Sequence, residues 1–444
     1  MAVAPAVQPA NKEKPLLRVV LLHDKTGRIQ VILAEQSMLD LKSITEQTGR
    51  DLVCVNQLQL DELCESSRLS TLEPFPWLYK VTTLIDESVA QEELHFHCQS
   101  DEQSDPHTVR LEALREALLK LEHDLLIVDV AINQNDLSID MRVPNDDPDQ
   151  IINSLKNFTT LRIKQRLEDT LEIPTLPQTA QRIIQLRVNP HAVVRELAEI
   201  VESDPSLAAQ VVSWAASPYY AVPGKIRSVQ DAIVRVLGFD LVGNLALGLA
   251  LGKTLDLPKD KVDGTTPYWL QSIFCSTLVE AIVKVVPAEL KPSKGLSYLS
   301  GLLHNFGYLV LAHIFPPHFS QICRYMEANP HLSHMVIEQH LLQITREQVC
   351  VWLMQSWNMP EEVAIAIRYQ HDPHYDGDHC AYPNLIFLAL RLLRQHGITD
   401  APNEEVPEFL YDKYQLCPDQ IQDIVQQVLD STDEIKAIAA NFDA

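Results

Sequence analysis

The chain has 444 residues, with 36 Lys and Arg against 60 Asp and Glu and a formal net charge of −24. That length divides naturally into two or three domains, and a chain that is 46% apolar and 22% charged is globular rather than disordered. So acidic a surface repels phosphate backbones and anionic lipid, so neither a nucleic acid nor a membrane is expected as a partner.

Other classes are excluded by pattern. The segment Met1–Pro15 has no basic stretch followed by an apolar core, so it does not read as a secretory signal. The longest apolar run, Leu241–Leu251, is broken by Asn244 and falls short of the ~18 residues of a membrane span. Eight cysteines are scattered with no Cys-x-x-Cys pair. This predicts neither a zinc ribbon nor a disulfide framework, and places the chain in a reducing cytoplasm. The 13 glycines form neither a G-x-G-x-x-G loop nor a Walker loop, which argues against nucleotide binding by those routes.

Taken in chain order, Arg18–Leu22 and Arg28–Leu33 flank the turn Asp24–Gly27 and predict a hairpin. Met38–Gln47 has helical spacing, with Gly49 placed as its C-cap. Leu52–Val55, Trp77–Ile85 and Glu93–His97 read as strands, and Val109–Leu121 as a helix with Leu111, Leu114, Leu118 and Leu121 on one face. The polar, proline-containing stretch Asn133–Gln150 reads as a connector, followed by a bridging helix over 151–171. From Ile173 onward the texture is helical. Asp204-Pro205 is an N-cap with proline at the first helical position, Ser228 opens a further helix that Gly238 closes, and Met359-Pro360 starts another with acids in its first turn. Trp214, Leu303 and Trp352 sit in apolar helical contexts and are expected in the core. The fold class is therefore a multidomain α+β chain, a mixed α/β domain followed by an all-α one.

The helical half carries Ile173-Pro-Thr-Leu-Pro177, Glu202-Ser-Asp-Pro-Ser-Leu207, Trp214-Ala-Ala-Ser-Pro218, Ser228-Val-Gln-Asp-Ala-Ile233 with Leu237-Gly238, Gly301-Leu-Leu-His-Asn-Phe-Gly307, Trp357-Asn-Met-Pro360 and Ala366-Ile-Arg-Tyr-Gln-His371. In this order they resemble the HDOD domain, a helical relative of the HD metal-dependent phosphohydrolases that acts in bacterial signalling rather than hydrolysis. The resemblance implies where a hydrolase would keep its metal ligands. His304-Asn305 stands at the His-Asp pair, Gln271 at an expected His, Arg346 at another, and Leu390 or Arg391 at a late Asp. Asn305 is neutral and cannot supply a bridging carboxylate, and a nearby Arg opposes a cation, so a degenerate site is expected. His304 also reads as a satisfied core histidine. No cofactor is expected; the one stretch dense in ligand types is His371-Asp372-Pro-His374-Tyr-Asp-Gly-Asp-His379, which could hold a metal or could be a polar loop.

The first half carries Val31-Ile-Leu33, Leu39-Asp-Leu-Lys-Ser-Ile44, Leu60-Asp-Glu-Leu63 and Leu84-Ile-Asp-Glu-Ser88. These resemble the YbaK-like editing domain associated with prolyl-tRNA synthetase. The resemblance implies a lysine for the adenosine end of the tRNA, where Arg18 stands, and a Gly-x-x-x-Pro loop, where Ser70-Thr-Leu-Glu-Pro74 lacks the glycine. Ser70 and Pro74 with Arg18 thus mark a degenerate editing site. The expected domains are 1–130 (editing-type), 131–165 (linker and bridging helix) and 166–444 (HDOD with a helical extension). The expected function is a cytoplasmic bacterial regulatory protein, catalytically silent, with a protein partner not identified by sequence and a homo-oligomer as a further option. The alternatives are a metal-dependent phosphohydrolase acting on a nucleotide or cyclic dinucleotide, and an aminoacyl-tRNA deacylase.

Overall fold

The computed structural model describes residues 16–55, 81–96, 107–133, 136–137, 147, 150–151, 176–187, 189, 191–216, 225–252, 254–398 and 401–440. The chain forms two compact units: Met1–Ser138 with Cys323–Leu332, and Ile139–Ile322 with Ser333–Ala444.

The first unit is built on a mixed sheet. Strands β1 (Leu16–Asp24) and β2 (Gly27–Ala34) form the expected hairpin, in register from Leu17↔Ala34 to Asp24↔Gly27. Asp24 closes the turn by accepting from the backbone N–H of Thr26 (2.7 Å) and Gly27 (3.1 Å). Hydrogen bonds from Arg50, then Thr26, hold its carboxyl well below the usual carboxylate range. Around the hairpin lie β4 (Val53–Cys54), β5 (Thr82–Asp86), β6 (Glu93–Phe96), β7 (His107–Arg110) and β8 (Leu125–Val128), in the order β7-β6-β1-β2-β5-β8 with β4 also on β1. The β1–β6, β2–β5 and β5–β8 pairings are parallel and the rest antiparallel. Leu17, Ile32, Ile85, Leu94 and Phe96 from the strands close on Leu114 and Leu118 of the helix Leu111–Leu119.

Two expectations are corrected here. The helix read over Met38–Gln47 begins at Leu41 (α1, Leu41–Thr48), because Asp40 turns its carboxylate onto the N–H groups of Lys42 (3.1 Å) and Ser43 (3.3 Å) and so caps it. Met38–Leu39 becomes a short strand, β3, paired with β9 (Ala131–Ile132) inside the expected linker. Gly49 ends α1 in the left-handed region (φ 69°), where a side chain would be strained. The helix read over Val109–Leu121 is α2 (Leu111–Leu119), preceded by a strand. Ser70, Pro74, Trp77–Lys80 and most of the bridging helix lie outside the described residues.

Arg18 is not held ready for a ligand. Its guanidinium donates to the carbonyls of Ala328 (2.9 Å) and Ser37 (3.0 Å) and to Asn329 Oδ1 (2.7 Å). Asn329 is fully buried and also accepts from Leu39 N–H (2.6 Å), while its amide donates to the carbonyls of Leu39 (3.1 Å) and Tyr325 (2.9 Å). Tyr325 in turn donates to the capping carboxylate of Asp40. Residues 323–332 thus belong with the sheet, although they read in the sequence as part of the helical half.

The second unit is helical: α3 (Gln178–Arg187), α4 (Val194–Glu202), α5 (Pro205–Ala215), α6 (Val229–Ala232), α7 (Phe239–Gly252), α8 (Tyr268–Val285), α9 (Lys294–Leu303), α10 (Phe306–Ile314), then α11 (Pro316–Ala328), whose last turns belong to the first unit, and α12 (His334–Leu342), α13 (Arg346–Ser356), α14 (Glu361–Tyr369), α15 (Ala381–Gln395), α16 (Glu408–Lys413), α17 (Pro418–Asp430) and α18 (Thr432–Ala440). Asp204 caps α5 and Ser228 caps α6 as expected. α6 runs on as a π-turn, Ile233–Leu237, which Gly238 ends at φ 83°. α8 lies at the centre against α9, α15, α17 and α18. It meets α9 closely because a Cβ on Gly301 would stand 2.8 Å from Ser276 Cα. Trp214 and Leu303 are buried as expected; Trp352 is only half-buried, and Trp357 fills the core instead. Among the described residues no helix is long and apolar enough to cross a membrane, and cysteines 54, 275, 323, 350, 380 and 417 are free thiols.

Burial, then the charge of Arg18, pushes the His331 imidazole down to about 4. Unfolded, the ring takes its proton near pH ~6.5. Between these values the unfolded chain binds the extra proton, so stability falls as the pH drops through this window. Discounted for partial exposure, the loss is about 1–2 kcal/mol. Urea melts at pH 7 and pH 5 should therefore differ less for His331→Gln than for the wild type; equal differences would remove His331 from the account.

Candidate functional site

The expected degenerate positions are built from helix ends in the second unit. His304 follows α9, is 2% exposed, and sets its Nδ1 2.8 Å from the carbonyl of Gly301. Its own carbonyl accepts from Gln370 Nε2 (2.7 Å), just past α14. The ring is thus built into the core, in line with its structural reading. Asn305, the next residue, accepts through its Oδ1 from Arg346 Nη1 at 3.0 Å.

Arg346 opens α13 and is 3% exposed. Its Nε donates to Glu338 Oε1 (2.5 Å) and its backbone N–H to Glu338 Oε2 (2.8 Å), so one buried carboxylate of α12 takes both. Burial works to lower the guanidinium's pKa, but Glu338, then Glu347, raise it above its usual value. The segment can come this close only because residue 307 is glycine: a Cβ there would overlap the carbonyl of Arg346. Gln271 on α8 is buried, and its Nε2 meets no hydrogen-bond partner among the described residues. Arg391 on α15 is bound to Glu404 and lies over the ring of Phe387 at 3.2 Å. The group is therefore a charge-paired polar cluster. A divalent cation at the place the resemblance implies would have to sit against a buried guanidinium with a neutral amide for its carboxylate, and the residues present do not fit one.

The string His371, Asp372, His374 and His379 does not converge. Asp372 accepts from His374 N–H (3.0 Å), the His374 ring stacks on Phe409 (centroids 4.8 Å apart), and His379 sits at φ 58° with its ring edge-on to Tyr382. Only His371 turns inward, to partners the sequence reading missed. His334, the first residue of α12, places Nε2 2.7 Å from Glu347 Oε1, and His371 Nε2 lies 3.2 Å from the same oxygen. One donor atom from each of the three residues lies within 4.8 Å of the others, and the imidazoles meet edge to face at 5.1 Å. Burial works to raise the Glu347 carboxyl, yet His334 and then His371 hold it well below the usual carboxylate range; burial lowers His371. The three residues come from separate helix ends with no regular spacing, so no motif could have announced them.

Asp147 is the other residue missed. Read as part of a solvated connector, it is instead buried, accepting from Arg368 Nε (2.7 Å) and Nη2 (3.1 Å) and from Gln348 Nε2 (2.7 Å). It joins the segment before α3 to α13 and α14.

A family model for the HDOD domain matches residues 173–373. A crystal structure of a candidate signal transduction protein from Marinobacter aquaeolei VT8 is 42% identical, with a TM-score of 0.85, and the alignment covers 99% of this chain and 95% of that one. Residues 173–373 are an HDOD domain. An HDOD domain protein of unknown function from Geobacter sulfurreducens is 20% identical with a TM-score of 0.48, over 66% of this chain and 96% of that one. An uncharacterised protein of Treponema pallidum (strain Nichols) is 22% identical over 278 residues, 62% of this chain. The chain spans about half the length of that curated relative, 52%. The HDOD match begins at residue 173, so it lends no support to the editing-domain resemblance of the first unit.

Removing one member of the Arg346–Glu338 pair leaves a buried charge unmatched, at a cost of about 3–5 kcal/mol, whereas replacing both by uncharged residues of like volume is close to neutral. Arg346→Met should therefore lower the urea midpoint sharply, and Arg346→Met with Glu338→Gln should recover most of the loss. An uncorrected double variant would show that the pair acts otherwise.

Proposed function

We propose that this HDOD-domain protein is a bacterial regulatory protein whose helical unit works as a non-catalytic module, recognising a protein partner or a small ligand. The observation that carries the reading is Arg346. Its guanidinium is bound to Asn305 Oδ1 and to Glu338, at a position the HDOD resemblance assigns to a metal ligand in a hydrolase, where groups that attract a cation and activate water are needed. A phosphohydrolase would have to displace a satisfied, buried ion pair before binding its metal there. The similarity to a candidate signal transduction protein along almost the whole chain supports the same reading. Free thiols at all the described cysteines accord with a reducing cytoplasm.

The first unit is read as an accessory module of the same regulator. An editing activity would need the Arg18 cation offered to a tRNA end. That guanidinium is spent on Ala328, Ser37 and Asn329 inside its own unit, and burial draws it down to about 10 while leaving it protonated. This use of Arg18 supports reading the first unit as inactive in editing, and an acidic chain adds nothing to tRNA affinity.

The full chain with Mg²⁺, Mn²⁺ or Ni²⁺ should hydrolyse bis(p-nitrophenyl) phosphate, cyclic dinucleotides and nucleoside triphosphates no faster than buffer containing the metal. Mischarged tRNA should likewise deacylate at its spontaneous rate. A metal-dependent turnover that Arg346→Met abolishes would overturn the non-catalytic reading, and a deacylation that Arg18→Ala abolishes would overturn the reading of the first unit.

A further inference from the structure

Glu347 stands 1% exposed between two imidazoles, and its second oxygen, Oε2, meets no hydrogen-bond donor among the described residues. Nor does Nδ1 of His334, which is itself 2% exposed. A buried carboxylate is ordinarily paired or hydrogen-bonded on both oxygens. Here both imidazoles address one oxygen, at 2.7 and 3.2 Å, and the other is left bare. We propose that His334, Glu347 and His371 form a binding site for one divalent transition-metal ion of the zinc class, separate from the place at Asn305 and Arg346 that does not fit one.

The donor set is right for such an ion. Two imidazole nitrogens and one carboxylate oxygen make a three-ligand zinc set, with metal–ligand distances of about 2.0–2.2 Å and a fourth position left for water or for the second carboxylate oxygen. Donors around a tetrahedral ion of that size stand ~3.3 Å apart. The two Oε1–Nε2 separations, 2.7 and 3.2 Å, lie near this value, and all three donors lie within 4.8 Å of one another. Nitrogen donors favour zinc-class ions over calcium or magnesium, which take oxygen.

The placement is fixed by the fold. His334 is held at the start of α12 by the cap at Ser333, Glu347 lies in the first turn of α13, and His371 follows α14, which packs on α13. The neighbouring Arg346 is hydrogen-bonded to Glu338, which takes its Nε and its backbone N–H. His334 and Glu347 side chains are 3% and 1% exposed, while that of His371 is 11% exposed, so an ion enters past the His371 ring. Bound there, it would tie three helix ends together. The site stands apart from the interaction-module reading: a regulator with or without it remains non-catalytic at Arg346.

The test uses tag-free full-length protein stripped with a chelator and titrated with zinc in competition with a chromophoric indicator, beside crystals grown with zinc and measured on both sides of its absorption edge. The expected result is one equivalent bound with micromolar or tighter affinity, and an anomalous peak within about 2.5 Å of the three donors. Glu347→Gln and His371→Ala should each weaken binding about tenfold or more, whereas His374→Ala with His379→Ala should leave it unchanged. A map with no peak at these donors overturns the proposal, as does binding weaker than millimolar. So does unaltered affinity in a His371→Ala protein with native circular dichroism. Should both site variants fail to fold, the wild-type anomalous map decides alone.

Discussion

The helical unit is organised around a charge that cannot leave. Arg346 lies at the start of α13, almost entirely buried, and a lone guanidinium there would be intolerable. Glu338 meets it with both oxygens, one on the side chain and one on the backbone N–H, while Asn305 takes a further donor. This one arrangement fixes the start of α13 against the end of α12 and the turn between α9 and α10. Gly307 permits the approach by having no Cβ to place against the Arg346 carbonyl. With α13 set, Gln348 and Arg368 converge on Asp147, and Glu347 is carried inward to His334 and His371.

The same pair supports the proposed reading of the scaffold. A hydrolase of this architecture spends its buried polar groups on holding a cation, whereas this chain spends them on one another. Asn305 is neutral, so it can accept from Arg346 but adds no negative charge, and the guanidinium supplies the positive charge that a metal would otherwise bring. The proposed regulatory reading rests on that internal ion pair. In the first unit an asparagine plays the corresponding part. All the polar capacity of the Asn329 amide is used, on Arg18, both backbone groups of Leu39 and the carbonyl of Tyr325, so a short stretch remote in sequence becomes part of the sheet's own framework.

Much of the fold was legible because its signals are local. The hairpin of β1 and β2 follows from alternation around a turn that Asp24 closes, Gly49 and Gly238 end their elements at positive φ, and Asp204-Pro205 and Ser228 start theirs. The start of α1 was misplaced because Met38 and Leu39 fit a helical stripe as well as a strand, and only the pairing with Ala131 and Ile132 decides for the strand. Asp147 sits in a run of acids and prolines that reads as a solvated connector; its burial depends on Arg368, far along the chain. Trp352 and Trp357 are equally apolar in sequence, and helix packing chose the second for the core.

By itself the sequence determined the class of the fold, the order of its two textures, the HDOD character of the helical half and the absence of a carboxylate beside His304, since each rests on residue identity or short-range spacing. Only the tertiary structure decided which histidines meet. His371, His374 and His379 are neighbours in the chain, yet a turn with an Asx bond and a residue at positive φ send their rings in different directions. His334 and Glu347 are remote from His371 in sequence and within a few ångströms of it in space. The physical reason is that a side-chain cluster is set by where helix ends cross, and those crossings are fixed by the burial of charge and volume over the whole unit.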